Sequence, residues 1–376
     1  MRIAVNARFL LENKLEGIGR FTAETLQRIT RNHPEHEFIF LFDRPYSKEF
    51  IFADNVIPVV LFPQARHPFL YFWFFNYAVT SALKKHKADI FLSTDGYLSL
   101  RTNVPQIAVI HDLAFIHFKQ GINKLEYLYY NYFFPKYAKK AARIIAVSNY
   151  TKQDIVTQFN INPNKIDVVY NAPSNGFVPV SGEQKKQIQH QFSNGCDYFC
   201  YVGAMHPRKN IETLLQAFDQ FKTSTQNNYK LVIVGRKAWH NKGIESTFIN
   251  MQYQNDVIFT GRVSEHDLYN ITAAAHAMVY IPFFEGFGLP IIEAMACDVP
   301  VITSNVTSMP EVAADAGILV SPNNVVEVSE AMIKLAENDN FYHQKKLASA
   351  KRKQDFSWDV SAQKLWDNIA QVLKIK

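Results

Sequence analysis

The chain has 376 residues, 48% hydrophobic and 20% charged, which suits two domains of ordinary size and excludes a disordered or low-complexity protein. Its three cysteines, Cys196, Cys200 and Cys297, have no metal or disulfide spacing and fit a reducing, cytoplasmic setting. The formal charge of +6 is carried by the first half, where residues 1–175 hold 21 Lys+Arg against 14 Asp+Glu while residues 176–376 hold 19 against 20.

In chain order, "MRIAVNARFL" has one early charge and a short apolar run, so it reads as a first strand and not as a signal peptide. Gly17 and Gly19 then punctuate the passage to a first helix. Thr22 stands where a dinucleotide fingerprint needs its third glycine, which leaves a flexible glycine loop over a phosphate, with Arg20 nearby. Short Val/Ile/Phe-rich strands follow at "FIFLF", "IPVVLF", "DIFLS", "QIAVIHD", "RIIAVS" and "KIDVVY". The apolar stretch His67 to Leu83 contains Pro68, Asn76, Thr80 and Ser81 and makes a poor membrane span. From Phe118 to Arg143 there are six Lys/Arg and one acidic residue, Glu126, among seven aromatic residues from Tyr127 to Tyr137. That composition fits an anionic membrane surface, although aromatic residues on all sides of the helix favour one packed inside a core. No helix-turn-helix, zinc-finger or RNA-recognition signature accompanies the basic half, so no nucleic-acid partner is expected.

Pro, Gly, Ser and Asn cluster from Asn171 to Gln184 and mark a domain join. Beyond it come strands at "YFCYVGA", "KLVIVG", "DVIFTG", "AMVYI", "PVITS" and "GILVS". Buried strands alternating with helices imply parallel sheets covered on both faces, and two such series imply two doubly wound domains. The expected domains are 1–175 and 176–355, with a tail at 356–376 whose Trp358, Leu365, Trp366 and Ile369 have helical spacing.

In open parallel sheets, ligands sit beyond the carboxyl ends of the strands, which singles out three groups. His111 and Asp112 close a strand in the first half; the histidine can donate to a substrate oxygen, or be bound to the backbone. Arg208 and Lys209 sit between a strand end and a helix start, expected to be capped by Asn210. Two cations there suit a bound anion or else form a solvated basic turn. The third group is "FFEGFGLPIIEAMA", in which Pro290 suits the first turn of a helix. Glu285 then falls in the loop and Glu293 in the helix, with free amides from Gly286 to Leu289 that favour an anion. Carboxylates accept from sugar hydroxyls, so hydroxyls at both ends of a diphosphate suit this spacing; the helix dipole alone also favours a glutamate near a helix start. No Asp-X-Asp and no His/Cys pair at ligand spacing occurs, so no metal and no cofactor are expected.

Together these segments resemble the family-4 retaining glycosyltransferases over nearly the whole chain. The most specific element is Glu-X7-Glu with "GFGLP" inside it, and "YVGAMHPRKN", "VSNYTKQDI" and "VVYNAP" resemble the family's other landmarks. The resemblance implies the GT-B fold, two Rossmann-like domains facing across a cleft, the first binding an acceptor and the second a nucleotide sugar, with the tail crossing back to the first. It implies that Glu293 holds the donor ribose and Glu285 the transferred sugar. Phe287, Gly288 and Leu289, with Gly286 beside them, give backbone contacts. Arg208 and Lys209 would neutralise the leaving diphosphate and His111 would meet the sugar. Gly17 to Gly19 would close over the phosphates, while Arg262 and Val263 would border the base. The opening "NAR…GIGRF" and "HPRKN" look most like bacterial mannosyltransferases of surface-polysaccharide assembly. This favours transfer of mannose from GDP-mannose, with UDP-sugars sharing the motifs, to a glycan or lipid-linked acceptor. The protein would be cytoplasmic, and peripheral on the inner face of the membrane if the basic, aromatic segments meet lipid. A nucleotide-sugar epimerase of similar fold, or an inactive donor-binding regulatory protein, are the competing readings.

Overall fold

A computed structural model describes residues 1–12, 15–236 and 242–374. All thirteen strands expected from the apolar runs form within those residues. The first seven are β1 (Arg2–Asn6), β2 (Glu37–Phe42), β3 (Val56–Val60), β4 (Ile90–Ser93), β5 (Gln106–Ile110), β6 (Arg143–Ala146) and β7 (Ile166–Val168). They make one sheet in the order β3-β2-β1-β4-β5-β6-β7, parallel throughout. The other six are β8 (Tyr198–Val202), β9 (Lys230–Val234), β10 (Val257–Gly261), β11 (Ala277–Tyr280), β12 (Val301–Ser304) and β13 (Gly317–Val320). Their sheet is also parallel, in the order β10-β9-β8-β11-β12-β13. Pro58, which cannot donate to a ladder, lies in β3 at the sheet edge.

Each sheet therefore grows outward from its first strand for three strands and then returns to pair the fourth against the first. That reversal lies between β1 and β4 in one sheet and between β8 and β11 in the other. Crossover helices diverge on either side of such a switch, which opens a crevice at the carboxyl ends of the two strands.

The chain divides into two compact units: Met1–Asn171 together with the tail from Ser357, and Ala172–Phe356. The junction lies four residues before the expected 175/176 boundary. The tail helix Trp358–Leu373 packs on the helix Gly17–Asn32 of the first unit. Trp358, Leu365, Trp366 and Ile369, the residues with helical spacing, are all buried. The Trp366 ring stacks on His33 with centroids 3.6 Å apart, and Trp358 meets Phe21 edge-on at 6.1 Å. The Ser361 hydroxyl donates to the Tyr170 carbonyl at 2.6 Å.

The aromatic helix Lys124–Lys140 divides its rings between core and surface. Tyr129, Phe134 and Tyr137 are buried, and the Tyr129 and Tyr137 hydroxyls hydrogen-bond at 2.7 Å. Tyr132 points outward. No helix among the described residues is long and apolar enough to cross a membrane.

Trp366→Ala removes a large buried ring and its stack on His33. We expect the first unit to lose about 3–5 kcal/mol, as for other buried aromatic truncations. Urea-dependent amide exchange in the helix Gly17–Asn32 measures it, and unchanged exchange there would show that the tail does not hold that helix.

Candidate active site

In the second unit, β11 ends at Tyr280 and the chain runs through residues 281–288 into the helix Leu289–Ala296, with Pro290 in its first turn as the sequence implies. Gly288 begins that helix at φ +95°, and a Cβ there would come within 2.5 Å of the Met309 methyl carbon. The left-handed φ favours glycine there, and any larger residue would also have to displace the Met309 side chain. Hydroxyls from β12 and the turn after it fix the loop. Thr303 donates to the Tyr280 carbonyl at 2.7 Å, Ser304 to that of Pro282 at 2.8 Å, and Ser308 to that of Glu285 at 2.9 Å.

Beside β11 lies β8, followed by the turn Pro207–Lys209. The two loops are joined through the backbone, where Phe283 N–H donates to the Arg208 carbonyl at 2.9 Å. Asn210 does not cap the following helix with its side chain, contrary to expectation. It is held at φ +59° because its amide instead donates to the carbonyls of Ile281 (3.0 Å) and Pro322 (2.6 Å), pinning three segments together.

Three donors then converge on one oxygen of the buried Glu285. Arg208 Nη1 reaches Oε1 at 2.6 Å, Tyr280 O–H donates to it at 3.0 Å, and Lys209 Nζ donates to it as well. Lys209 also donates to the Tyr280 oxygen at 2.5 Å, so the phenol bridges cation and carboxylate. Burial would raise the Glu285 pKa, but Lys209 and Arg208 outweigh it and hold the group below its ordinary value. The Tyr280 phenol is pushed well up, by burial first and then by Glu285, and stays neutral. His206 is lowered by burial and by the two cations, and its Nδ1 accepts from Arg208 N–H at 3.2 Å. The basic turn is thus packed against a carboxylate and not solvated. Two cations and one anion leave a formal positive charge at this strand end.

Glu293 is buried in the helix eight residues on. Its charge, after burial, contributes to pushing the Cys297 thiol up to about 12, which makes that cysteine unreactive. Arg262 and Val263 follow β10, the sheet edge and two strands from β8, so roughly 10 Å separates their strand end from the Lys209 turn.

In the first unit, the switch between β1 and β4 carries a network that sequence reasoning missed. Asp95 Oδ2 accepts from Arg8, and Oδ1 accepts from Asn6 (2.7 Å) and Ser93 (2.9 Å). The Arg8 guanidinium lies 4.4 Å from the Tyr97 ring centroid and 5.3 Å from that of Tyr71. The signal was present in the pairing register, since Asn6 and Ser93 are direct partners at two strand ends.

His111 follows β5, and its Nε2 lies 2.8 Å from the Thr94 carbonyl. A carbonyl only accepts, so Nε2 carries the proton. Burial lowers the His111 pKa and favours the neutral ring, in which Nδ1 is an acceptor. Nδ1, where the sequence suggested a donor, is thus left as an acceptor.

Gly17 and Gly19 also differ from expectation: they form the first turn of the helix Gly17–Asn32 and not a loop. A Cβ on Gly19 would fall 2.6 Å from the Phe9 carbonyl oxygen, so the glycine permits the helix to touch the turn after β1. Thr22, in place of a third glycine, hydrogen-bonds the Thr94 hydroxyl at 2.8 Å. Among the described residues, no group of three His, Cys, Asp or Glu is placed to hold a metal ion.

Comparison with known proteins gives two family matches: the glycosyl transferases group 1 model over residues 183–354, and the Glycosyltransferase Family 4 model over residues 15–172. The chain is 30% identical to O-antigen chain mannosyltransferase B of Escherichia coli over 282 residues, 74% of this chain and 73% of that one. Among solved structures, sucrose-phosphate synthase from Thermosynechococcus elongatus matches with a TM-score of 0.82 at 16% identity, covering all of both chains. The Anabaena protein HepE, solved with UDP and glucose, matches at 0.74 and 16% identity, covering 99% of this chain and 100% of that one.

Glu285→Gln leaves two buried cations facing a neutral amide. We expect a loss of about 3 kcal/mol at pH 7, the lower range for breaking a buried ion pair. Because the folded pKa is depressed, wild type keeps this advantage above the ordinary value of 4.5 and loses it as the pH falls through the folded value. Unfolding midpoints of both proteins from pH 7 to pH 3 should converge only at the acid end. A constant gap would mean that Glu285 is not the ionised partner.

Proposed function

Because the chain belongs to glycosyltransferase family 4 and has the GT-B fold, we propose that it moves a hexose from a nucleoside-diphosphate sugar to a glycan or lipid-linked acceptor in bacterial surface-polysaccharide synthesis. Mannose from GDP-mannose is the favoured donor, supported by the 30% identical E. coli relative, an O-antigen chain mannosyltransferase. UDP-sugars are the alternative. The observation that carries the reading is the Glu285 carboxylate gripped by Lys209, Arg208 and Tyr280, eight residues before the buried Glu293.

In this reading, Lys209 and Arg208 stabilise the charge that grows on the departing diphosphate as the glycosidic bond breaks, without a metal ion. Glu285 accepts from hydroxyls of the transferred sugar, and Glu293 from the ribose. The backbone of Gly286, Phe287, Gly288 and Leu289 faces sugar and phosphate, and Arg262 and Val263 border the base. In the first unit, His111 Nδ1 accepts from a substrate hydroxyl. Attack from the face the diphosphate leaves would retain the anomeric configuration and needs no protein nucleophile.

A thermal-shift panel of GDP- and UDP-sugars selects the donor, and incubating that donor without acceptor separates transfer from epimerisation. Transfer should survive EDTA; complete loss restored by manganese would contradict metal independence. Glu293→Ala should weaken donor and free nucleotide alike by about 1–3 kcal/mol, as for lost hydrogen bonds to a charged group. Lys209→Ala should cost about 10²–10³ in turnover, the scale of one transition-state donor. Glu285→Ala should lower turnover without weakening the free nucleoside diphosphate, since it leaves both cations in place. Normal turnover in all three variants would refute the assignment.

A further inference from the structure

The carboxyl side of the first sheet carries a second histidine besides His111. β5 is followed by the short helix Ala114–His117, at whose start the Asp112 Oδ1 accepts from Ala114 N–H at 2.9 Å. Its neighbour β6 is followed by the helix Asn149–Phe159, where the Ser148 oxygen accepts from Thr151 N–H at 3.0 Å. The Thr151 hydroxyl in turn donates to the His111 carbonyl at 3.5 Å, tying that helix to the end of β5. Both helices thus begin where an open parallel sheet receives its ligands.

The two helices meet in one polar pair. His117 Nε2 lies 2.8 and 2.9 Å from the two oxygens of Asp154. The Asp154 side chain is 7% exposed and that of His117 30%, so the carboxylate is inside and the ring borders solvent. Burial raises the Asp154 pKa, and hydrogen bonds from His117 and Gln158 oppose the rise. Tyr150, one turn earlier on the same helix face, is pushed up to about 12 by burial and then by Asp154, and keeps its proton.

Lysine or arginine would serve equally well to join two helices through a carboxylate. A histidine adds a second nitrogen. The carboxylate only accepts, so Nε2 carries the proton, and in the neutral ring Nδ1 is then an acceptor. His111 is held in the same tautomer, by the Thr94 carbonyl on its own Nε2. Two imidazoles on the segment after β5 therefore both spend Nε2 on the protein and both have Nδ1 as an acceptor.

We infer that His117 and Asp154 form a recognition site for a hydroxyl of the acceptor glycan, a site that rests on the transfer reading. His117 Nδ1 accepts from the hydroxyl, and Asp154 positions the ring. The hydroxyl takes the place of the group or water that Nδ1 meets without it, so that one hydrogen bond is exchanged for another. An anion is disfavoured there, because the Asp154 and Asp112 carboxylates lie close enough to repel one another. A metal ion is disfavoured too, since the described residues hold no group of three ligands. A sugar hydroxyl is neutral and donates one hydrogen bond, and transfer requires the second substrate to carry one.

The test uses the full chain at pH 8 with α-linked mannobiose as the acceptor probe, its binding followed by saturation-transfer NMR. His117→Lys keeps a cation against Asp154 but has no acceptor nitrogen. It should weaken mannobiose about tenfold, the scale of one hydrogen bond lost from a bound ligand, while nucleotide-sugar stabilisation stays unchanged. His117→Gln, whose amide can both donate to Asp154 and accept from a hydroxyl, should restore most of the affinity. Nitrogen-15 spectra of the wild-type ring should show the proton on Nε2. Asp154→Asn, whose amide can also donate, should let the proton appear on Nδ1 as well and weaken mannobiose severalfold. Wild type that gives no saturation transfer, or whose ring carries its proton on Nδ1, would overturn the inference. So would His117→Lys that binds mannobiose like wild type, which would leave the pair as a clamp between two helices. The transfer reading fails differently, by wild type that no nucleotide sugar stabilises.

Discussion

A carboxylate buried among apolar strand ends is costly unless its charge is met at once, and in the second unit Glu285 is met by two cations and a phenol on a single oxygen. The interaction ties the turn after β8 to the loop after β11, residues more than seventy positions apart in sequence. Everything nearby serves that closure. The Thr303, Ser304 and Ser308 hydroxyls hold the loop carbonyls, Asn210 staples the turn, and Gly288 lets the helix start against Met309. With these in place, Lys209 is held between Glu285 and Tyr280, the fixed position that its proposed electrostatic role requires.

The first unit solves the same topological problem with other residues. Its switch point, between β1 and β4, is also spanned by a buried cation and carboxylate, Arg8 and Asp95. Burial alone would disfavour the Arg8 charge, and Asp95 together with Tyr97 and Tyr71 more than offsets it, so the net shift is upward. Here aromatic rings enclose the guanidinium, and the pair anchors the segment whose Thr94 carbonyl sets the His111 tautomer. One unit therefore uses the pair to orient a neutral acceptor, and the other to preset positive charge.

The strands were legible because parallel strands buried on both faces read as continuous Val/Ile/Phe runs that few other structures require. The Glu285 loop was legible because Pro290 and Gly288 each suit a particular backbone. Tyr280 and Arg8 were not, since each sits at the end of an apolar run and looks like part of a strand; only the pairing of distant strands reveals their partners. Gly17 and Gly19 were misjudged for a related reason. A glycine needed for flexibility and one needed for close approach to Phe9 look the same in sequence. In the helix Lys124–Lys140, aromatic residues surround the axis, so periodicity could not tell the buried Tyr137 from the exposed Tyr132.

On the transfer reading, Glu285 shares the two cations proposed to face the diphosphate, Arg208 and Lys209. A bare Arg208–Lys209 pair would hold a diphosphate tightly both before and after the sugar leaves, and such uniform binding does not speed the chemical step. A carboxylate sharing the same donors competes with the phosphate and weakens its hold in the ground state. Its competition matters least when the leaving group carries its greatest charge, because the attraction of the cations then grows while the carboxylate stays fixed. The Tyr280 hydroxyl strengthens this arrangement by giving Lys209 a neutral second partner, so the ammonium remains anchored when its contact with Glu285 loosens. Under the proposed transfer, glutamate and lysine in contact would act as a differential device, and the buried ion pair that joins the two loops would also tune the charge offered to the substrate.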